Sequence, residues 1–354
     1  MITISLCMIV KNEEKVLARC LESVRDIADE IVIVDTGSQD RTKEIASQFT
    51  DKVHDFEWID DFAAARNYAF SLASMEYCMW LDADDVVLSK DREEILQLKN
   101  ALDPDTNVVM MKYHTSFDEN GVPTFSYYRE RMIRNRAGFL WEGAVHEAIS
   151  PRGKIVYSDA AITHKKSGPS DPNRNLRIFE KLIAQGTKLD ARQQFYYGRE
   201  LYYHERYQDA IQALVKFLDS GKGWMENNID ACRILAYCYY QQNEEEKALL
   251  ALLRSLSYDA PRAELSCDIG KHFFDRGQYT LAVFWYETAP APPETTSREP
   301  LSLRIVTDTS PIYSCVFVTI DWVKLTRRKL TMNWQGIVNH SRPNTSPTNN
   351  TLII

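Results

Sequence analysis

Along the first half of the chain, apolar positions alternate between two periods. Residues 3–10 form an apolar run with strand alternation, and the stripe at Val16, Leu17, Cys20, Leu21 and Val24 then returns at helical spacing. A β-branched segment at 30–36 reads as a short buried strand, and Asp40 stands where it would cap a helix running to about Phe49. Asp60 or Asp61 can cap the next helix, whose apolar face would be Phe62, Ala65, Ala69, Leu72 and Ala73, and 77–81 reads as a third buried strand. Strands alternating with helices at these lengths predict a doubly wound, mostly parallel α/β sheet. From about residue 107 the pattern turns extended, at 107–114, 125–133 and 154–164, as expected of a mixed-sheet extension.

The second half follows another rule. Between about 176 and 289 the chain is helix-rich and repeats: Gly198, Ala236 and Gly270 share one frame, Tyr207, Glu245 and Tyr279 a second, Ala210, Ala248 and Ala282 a third. Each frame advances by 38 and then by 34 residues, and the four extra residues fit the glycine-containing loop at 221–226. A 34-residue spacing with a small residue in the first helix and alanine in the second resembles the tetratricopeptide repeat. Such helix pairs stack because neither buries its apolar face alone, and their concave surface commonly serves for docking. Beyond 289 the frame is lost; seven of the 13 prolines lie there, with apolar stretches at 312–323 and 330–338 and an end that reads as disordered. The expected organisation is therefore an α/β domain at 1–168, a linker with an all-α tetratricopeptide-like array at 169–289, and an atypical tail at 290–354, disordered or partly strand.

Composition narrows the class. With 44% hydrophobic and 26% charged residues, the 354-residue chain can bury a core. A net charge of -8 without a Lys/Arg block opposes binding to a nucleic-acid backbone. No run of about 18 apolar residues marks a membrane span, and MITISLCMIV lacks the basic flank of a signal peptide, so a cytoplasmic location is expected. Seven cysteines without a CxxC pair are expected to be reduced and structural.

In an open parallel sheet, ligands bind beyond the carboxyl ends of the strands. Lys11-Asn12-Glu13, Asp35-Thr36-Gly37-Ser38 and Asp82-Ala83-Asp84-Asp85 all follow predicted strands, so three polar clusters converge on one edge. Neither GxGxxG after a strand nor GxxxxGK[ST] is present, and His146-Glu147 does not complete HExxH because Ser150 stands at the last position. The Asp-x-Asp at 82–84 can place two carboxylates around one hard divalent cation, although acidic turns after strands are usually solvated caps.

Five segments together, SLCMIVKNEEKVLARCLESV, IVIVDTGSQDRT, FAAARNYA, MWLDADD and GAVHEAI, resemble a family 2 glycosyltransferase of the GT-A fold, a Rossmann-like mostly parallel sheet, over about residues 1–168. The repeats, beginning with FYYGREL at 195–201, are similar to the tetratricopeptide-containing branch that includes the glycocin (sublancin-type) peptide S-glycosyltransferases. The resemblance implies a UDP-sugar donor and Mn2+ or Mg2+. It places Asp35 on the uracil ring, Glu13 near the ribose and Arg66 on the donor. Asp84 would hold the cation directly, Asp82 would touch ribose or reach the metal through water, and His164 could complete the shell. Glu147 is the first choice of base, Glu142 the second, with His146 orienting the base or touching the diphosphate. Each position also has a plainer reading: a turn residue at Asp35, a helix first-turn carboxylate at Glu13, a surface ion pair at Arg66, a solvated strand end at His164, and a loop packed by Trp141 for 141–147.

Three functions are compatible with these residues. The favoured one is a metal-dependent inverting hexosyltransferase acting on a Cys or Ser side chain of a peptide or protein docked on the repeats, which could also support a homodimer. The others are a transferase acting on cell-envelope polysaccharide or lipid-linked glycan, and a non-catalytic repeat scaffold.

Overall fold

A computed structural model describes residues 1–165, 168 and 171–289; the apolar stretches and the disordered end expected beyond 289 lie outside the described residues. The described chain divides into two compact units, Met1–Glu200 and the helices from Leu201 onward.

The first unit is built on an eight-stranded sheet of order β3-β2-β1-β4-β7-β6-β10-β5. Its strands are β1 Ile4–Val10, β2 Glu30–Asp35, β3 Val53–Asp55, β4 Tyr77–Trp80, β5 Asp85–Val86, β6 Val108–Phe117, β7 Pro123–Arg134 and β10 Ile155–His164, while β8 Trp141–Glu142 and β9 Ala148–Ile149 form a separate pair. The helices are α1 Leu17–Ser23, α2 Thr42–Ala46, α3 Phe62–Ser71, α4 Ser89–Ala101, α5 Arg174–Ala184 and α6 Ala191–Tyr203, the last continuing into the second unit. Strands β1 to β4 are mutually parallel, β7 runs antiparallel between β4 and β6, and β10 is parallel to β6. This is the mostly parallel, Rossmann-like sheet with a mixed extension that the sequence predicts.

Alternation on β1 explains why both faces are covered. Ile4, Leu6 and Met8 join Leu17, Cys20 and Leu21 of α1 in one core, whereas Cys7 joins Val32, Val34 and Cys78 against Ala69 and Ala73 of the α3 segment. The central cysteines therefore pack as small hydrophobes, and the described cysteines are all free. Asp61 caps α3 by accepting from the Ala64 N–H at 2.9 Å. The cap expected at Asp40 differs: α2 is only Thr42–Ala46 with Arg41 at its cap position, and Asp40 instead accepts from the Thr42 N–H at 3.0 Å and the Glu14 N–H at 3.2 Å. Asp40 thus serves a loop that ties the ends of β1 and β2 together.

The second unit adds α7 Tyr207–Asp219, α8 Met225–Gln241, α9 Glu245–Arg254, α10 Ala263–Asp275 and α11 Tyr279–Glu287. The repeat frames fall on equivalent places: Tyr207, Glu245 and Tyr279 open α7, α9 and α11, and the fully buried Ala210, Ala248 and Ala282 follow three residues later. The preceding turns agree as well. Glu205, Asn243 and Gly277 adopt left-handed backbones at φ 58°, 58° and 70°. In each turn the next N–H donates five residues back at 2.9 Å, from Arg206 to Leu201, Glu244 to Tyr239 and Gln278 to Phe273. Gly270 is fixed by packing, since an added Cβ would lie 2.6 Å from the Tyr286 ring. Gly270→Ala is therefore expected to destabilise this unit by about 1–2 kcal/mol in denaturant unfolding, overpacking outweighing the helix-propensity gain. An unchanged or higher midpoint would mean that α10 and α11 do not approach so closely.

Candidate active site

The register between the last two strands of the sheet assembles the centre of the site. Antiparallel pairing of β10 with β5 sets His164 across from Asp85, and the Lys165 N–H donates to the Asp84 carbonyl at 2.9 Å. Ligand atoms of Asp84, Asp85 and His164 consequently lie within 4.8 Å of one another. Asp85 is fully buried and all its oxygens are engaged: Oδ1 accepts from the Tyr113 hydroxyl at 2.9 Å and lies 3.2 Å from His164 Nδ1, while Oδ2 accepts from Arg131 Nη1 at 3.2 Å and the Asp82 N–H at 3.1 Å. Asp84 is partly exposed, with Oδ1 3.4 Å from His164 Nδ1.

Carboxylates crowd this edge. Burial, with Asp84, Asp82 and Asp40 nearby, pushes Glu13 up to about 7. Burial also raises Asp84, helped by Asp82 and Asp85 and opposed by His164. The Asp85 hydrogen bond and the charges of Asp84, Asp85 and Asp82 raise His164 against its burial. Several anionic groups with O and N donors facing one point suit a hard or borderline divalent cation. Asp84 and His164 could hold such a cation, with Asp85 oriented against His164.

Arg66 links this edge to the segment after β8. On α3 and almost wholly buried, it donates Nε to Glu147 Oε1 and Nη2 to Asp82 Oδ1, each at 2.7 Å, and its guanidinium lies 4.9 Å from the Trp80 and Trp141 ring centres. A surface ion pair is thereby excluded. Burial alone would raise Asp82, but Arg66 and Arg131 prevail and hold it below the usual carboxylate range.

At the end of β2, Asp35 is buried; its Oδ1 accepts from the N–H groups of Gly37 and Ser38 at 2.9 and 2.8 Å, while Oδ2 has no hydrogen-bond partner among the described residues. Gly37 allows this turn with φ at 101°, where a side chain would be strained. Asn12 accepts from the Gln39 N–H at 2.8 Å, fixing the β1 loop beside it.

Residues 5–152 match the family model described as Glycosyl transferase family 2. The chain carries a family 2 glycosyltransferase domain. Relatives include a TPR repeat-containing protein of Synechococcus elongatus, 37% identical over 150 residues, covering 42% of this chain and 36% of that protein. Another is the SPbeta prophage-derived glycosyltransferase SunS of Bacillus subtilis, 28% identical over 258 residues, covering 68% of this chain and 60% of SunS. The chain thus spans between about a third and three fifths of the length of these relatives. Among solved structures, S. aureus TarS 1-349 in complex with UDP gives a TM-score of 0.42 at 16% identity, over 72% of this chain and 91% of that one, a likeness too loose to add weight.

Within the first unit, Glu147 and Arg66 meet, as do Asp84 and His164, whereas Glu142 is exposed. His146 turns away from Glu147's partners: its Nε2 lies 2.8 Å from Glu200 Oε1 and its ring stacks on Tyr196 at 4.2 Å. Sequence reasoning does not single out Asp85, Tyr113, Arg131 or Glu200. Asp85 stood in the motif itself, and Arg131 carried one signal, a cation on the buried run of a strand. Glu200 lies inside FYYGREL, but its partner is distant in sequence.

Proposed function

We propose that the chain is a metal-dependent, inverting glycosyltransferase that moves a hexose from a UDP-sugar to a Cys or Ser side chain of a peptide or protein. One observation carries the reading: in a family 2 domain, the unpartnered buried Asp35 Oδ2 shares a strand edge with the Asp84, Asp85 and His164 group. Asp35 would accept the uracil N–H, Glu13 and Asp82 would line the ribose, and the Arg66 bridge would fix Asp82 relative to Glu147. The cation, when bound, offsets charge on the departing diphosphate. The acceptor sulfur or oxygen bonds to the anomeric carbon as the bond to UDP breaks, and Glu147 takes the acceptor proton. A thiol acceptor, far more acidic than a hydroxyl, would need less help from that base.

A peptide acceptor is supported by the resemblance to the peptide-modifying branch and by the SunS match, which at 258 residues is too long to end within the family domain. The repeats are the proposed docking face. Among the described residues no helix is long and apolar enough to cross a membrane. Transfer to a lipid-linked or polysaccharide acceptor, with none to peptides, would overturn the acceptor assignment.

Asp35→Asn tests the donor site. The amide oxygen can still accept from Gly37 and Ser38, but an NH2 then faces the donor's N–H. Donor KM should rise about 10- to 100-fold while kcat at saturation stays close to wild type, because this contact is the same in ground and transition states. Unchanged donor KM with collapsed kcat would contradict the assignment.

A further inference from the structure

Two successive residues, His146 and Glu147, hold to different parts of the first unit. His146 has φ at 54°, a left-handed conformation that residues with a Cβ enter only when their surroundings hold them there. At this point Glu147 reaches Arg66, whereas the His146 ring reaches α6. There the ring stacks on Tyr196 with only 13° between planes, and the His146 carbonyl accepts from Arg192 Nε and Nη2 at 3.3 and 3.2 Å. Glu200, buried, lies 2.8 Å from Nε2 and also accepts from Asn175 Nδ2 of α5 at 3.1 Å. On the other flank the Ala144 carbonyl accepts from the Phe62 N–H at 2.8 Å, at the start of α3.

The donor in the ring contact follows from charge. These hydrogen bonds hold Glu200 below the usual carboxylate range although burial opposes them, so it only accepts. Burial lowers His146, and facing a carboxylate that only accepts, its Nε2–H donates to Glu200.

We infer that Glu200 is a positioning residue for the transfer reaction: through His146 it fixes the 144–149 segment so that Glu147 stands against Arg66. The inference rests on the transferase reading for Glu147's role, while the clamp itself does not. It gives α5 and α6, which the repeat pattern groups with the docking array, a part in the reacting site.

The test compares Glu200→Ala with Glu200→Gln in the full chain, since glutamine keeps an acceptor oxygen for the ring N–H. In Glu200→Ala, amide hydrogen exchange across 144–149 should quicken about tenfold or more with β1, β2 and β4 unchanged. Transfer kcat should fall about tenfold or more with donor KM within about twofold, and Glu200→Gln should recover most of both. Exchange and kcat at wild-type values in folded Glu200→Ala would overturn the inference, as would a fall in kcat matched by an equal rise in donor KM. Should Glu200→Ala not fold, Tyr196→Leu removes the stacking partner and should quicken the same amides; unchanged exchange there would equally overturn it. Loss of protection at 144–149 in a protein whose wild type transfers no sugar would uphold the clamp and overturn the transferase reading instead.

Discussion

Asp84→Ala is expected to lower glycosyl transfer by about two to three orders of magnitude while leaving the folded protein at least as stable as wild type in EDTA. The two halves have one cause. Asp84 sits among Glu13, Asp82 and Asp85, and burial with the latter two carboxylates raises it above its ordinary value. A carboxyl raised on folding holds its proton more tightly in the folded chain, so ionising it at neutral pH opposes folding. That penalty is absent at low pH and grows as pH rises through the folded value. Alanine removes the repulsion and with it the anionic oxygen that a divalent cation would use, so activity and stability should move in opposite directions. UDP release in Mn2+ and melting in EDTA measure the two. Undiminished turnover in EDTA would remove the cation from the proposal, and a marked loss of melting temperature in Asp84→Ala would show that its oxygens are structural.

What could be read from the sequence followed how local each cause is. The Asp-x-Asp after β4 and Asp35 at the end of β2 are visible because a strand delivers the residues at its carboxyl end to a known edge. The repeat frames are visible because Tyr207, Glu245 and Tyr279 open their helices after turns of the same left-handed geometry. Asp85 was hidden although adjacent: its role depends on β5, a strand of two residues, finding the end of β10. Arg131 was hidden because its neutralisation is tertiary. Its guanidinium lies 3.8 Å from the Trp80 ring centre and 4.3 Å from that of Tyr113, and its charge meets Asp85. Helix α4, too, carries little local signal between extended segments, although Ile95 and the aliphatic stem of Lys99 are buried on one face. The misplaced cap at Asp40 has a similar origin: the residue type signals a turn, and only the neighbouring β1 loop decides which N–H groups it serves.

Arg66→Ala should have the largest effect on stability. The guanidinium side chain is 8% exposed and joins Glu147, 13% exposed, to Asp82, 38% exposed. Removing the cation leaves Glu147 buried without its partner; Asp82, more open to water, adds the smaller share. Breaking one side of a buried pair typically costs about 3–5 kcal/mol, which in a unit of this size lowers the melting temperature by roughly 6–20 °C. Arg66→Lys should fall in between, since an ammonium keeps the charge but cannot reproduce the two-pronged bridge. The pH dependence separates charge from lost packing against Trp80 and Trp141. In wild type, Asp82 is depressed by Arg66 and Arg131 despite its partial burial, so its contribution is present above its unfolded pKa and is lost as pH falls through the folded one. In the variant, burial without Arg66 favours the protonated carboxyls, so acid relieves the folded state. Between pH about 7.5 and about 4.5 only the second trend acts, because the wild-type contribution of Asp82 is lost below its unfolded value of about 3.9, so the gap in melting temperature should be wide at pH about 7.5 and smaller at about 4.5. A gap that stays constant across this range would assign the loss to the rings and not to the carboxylates, and Arg66 would then be a packing residue whose charge is incidental.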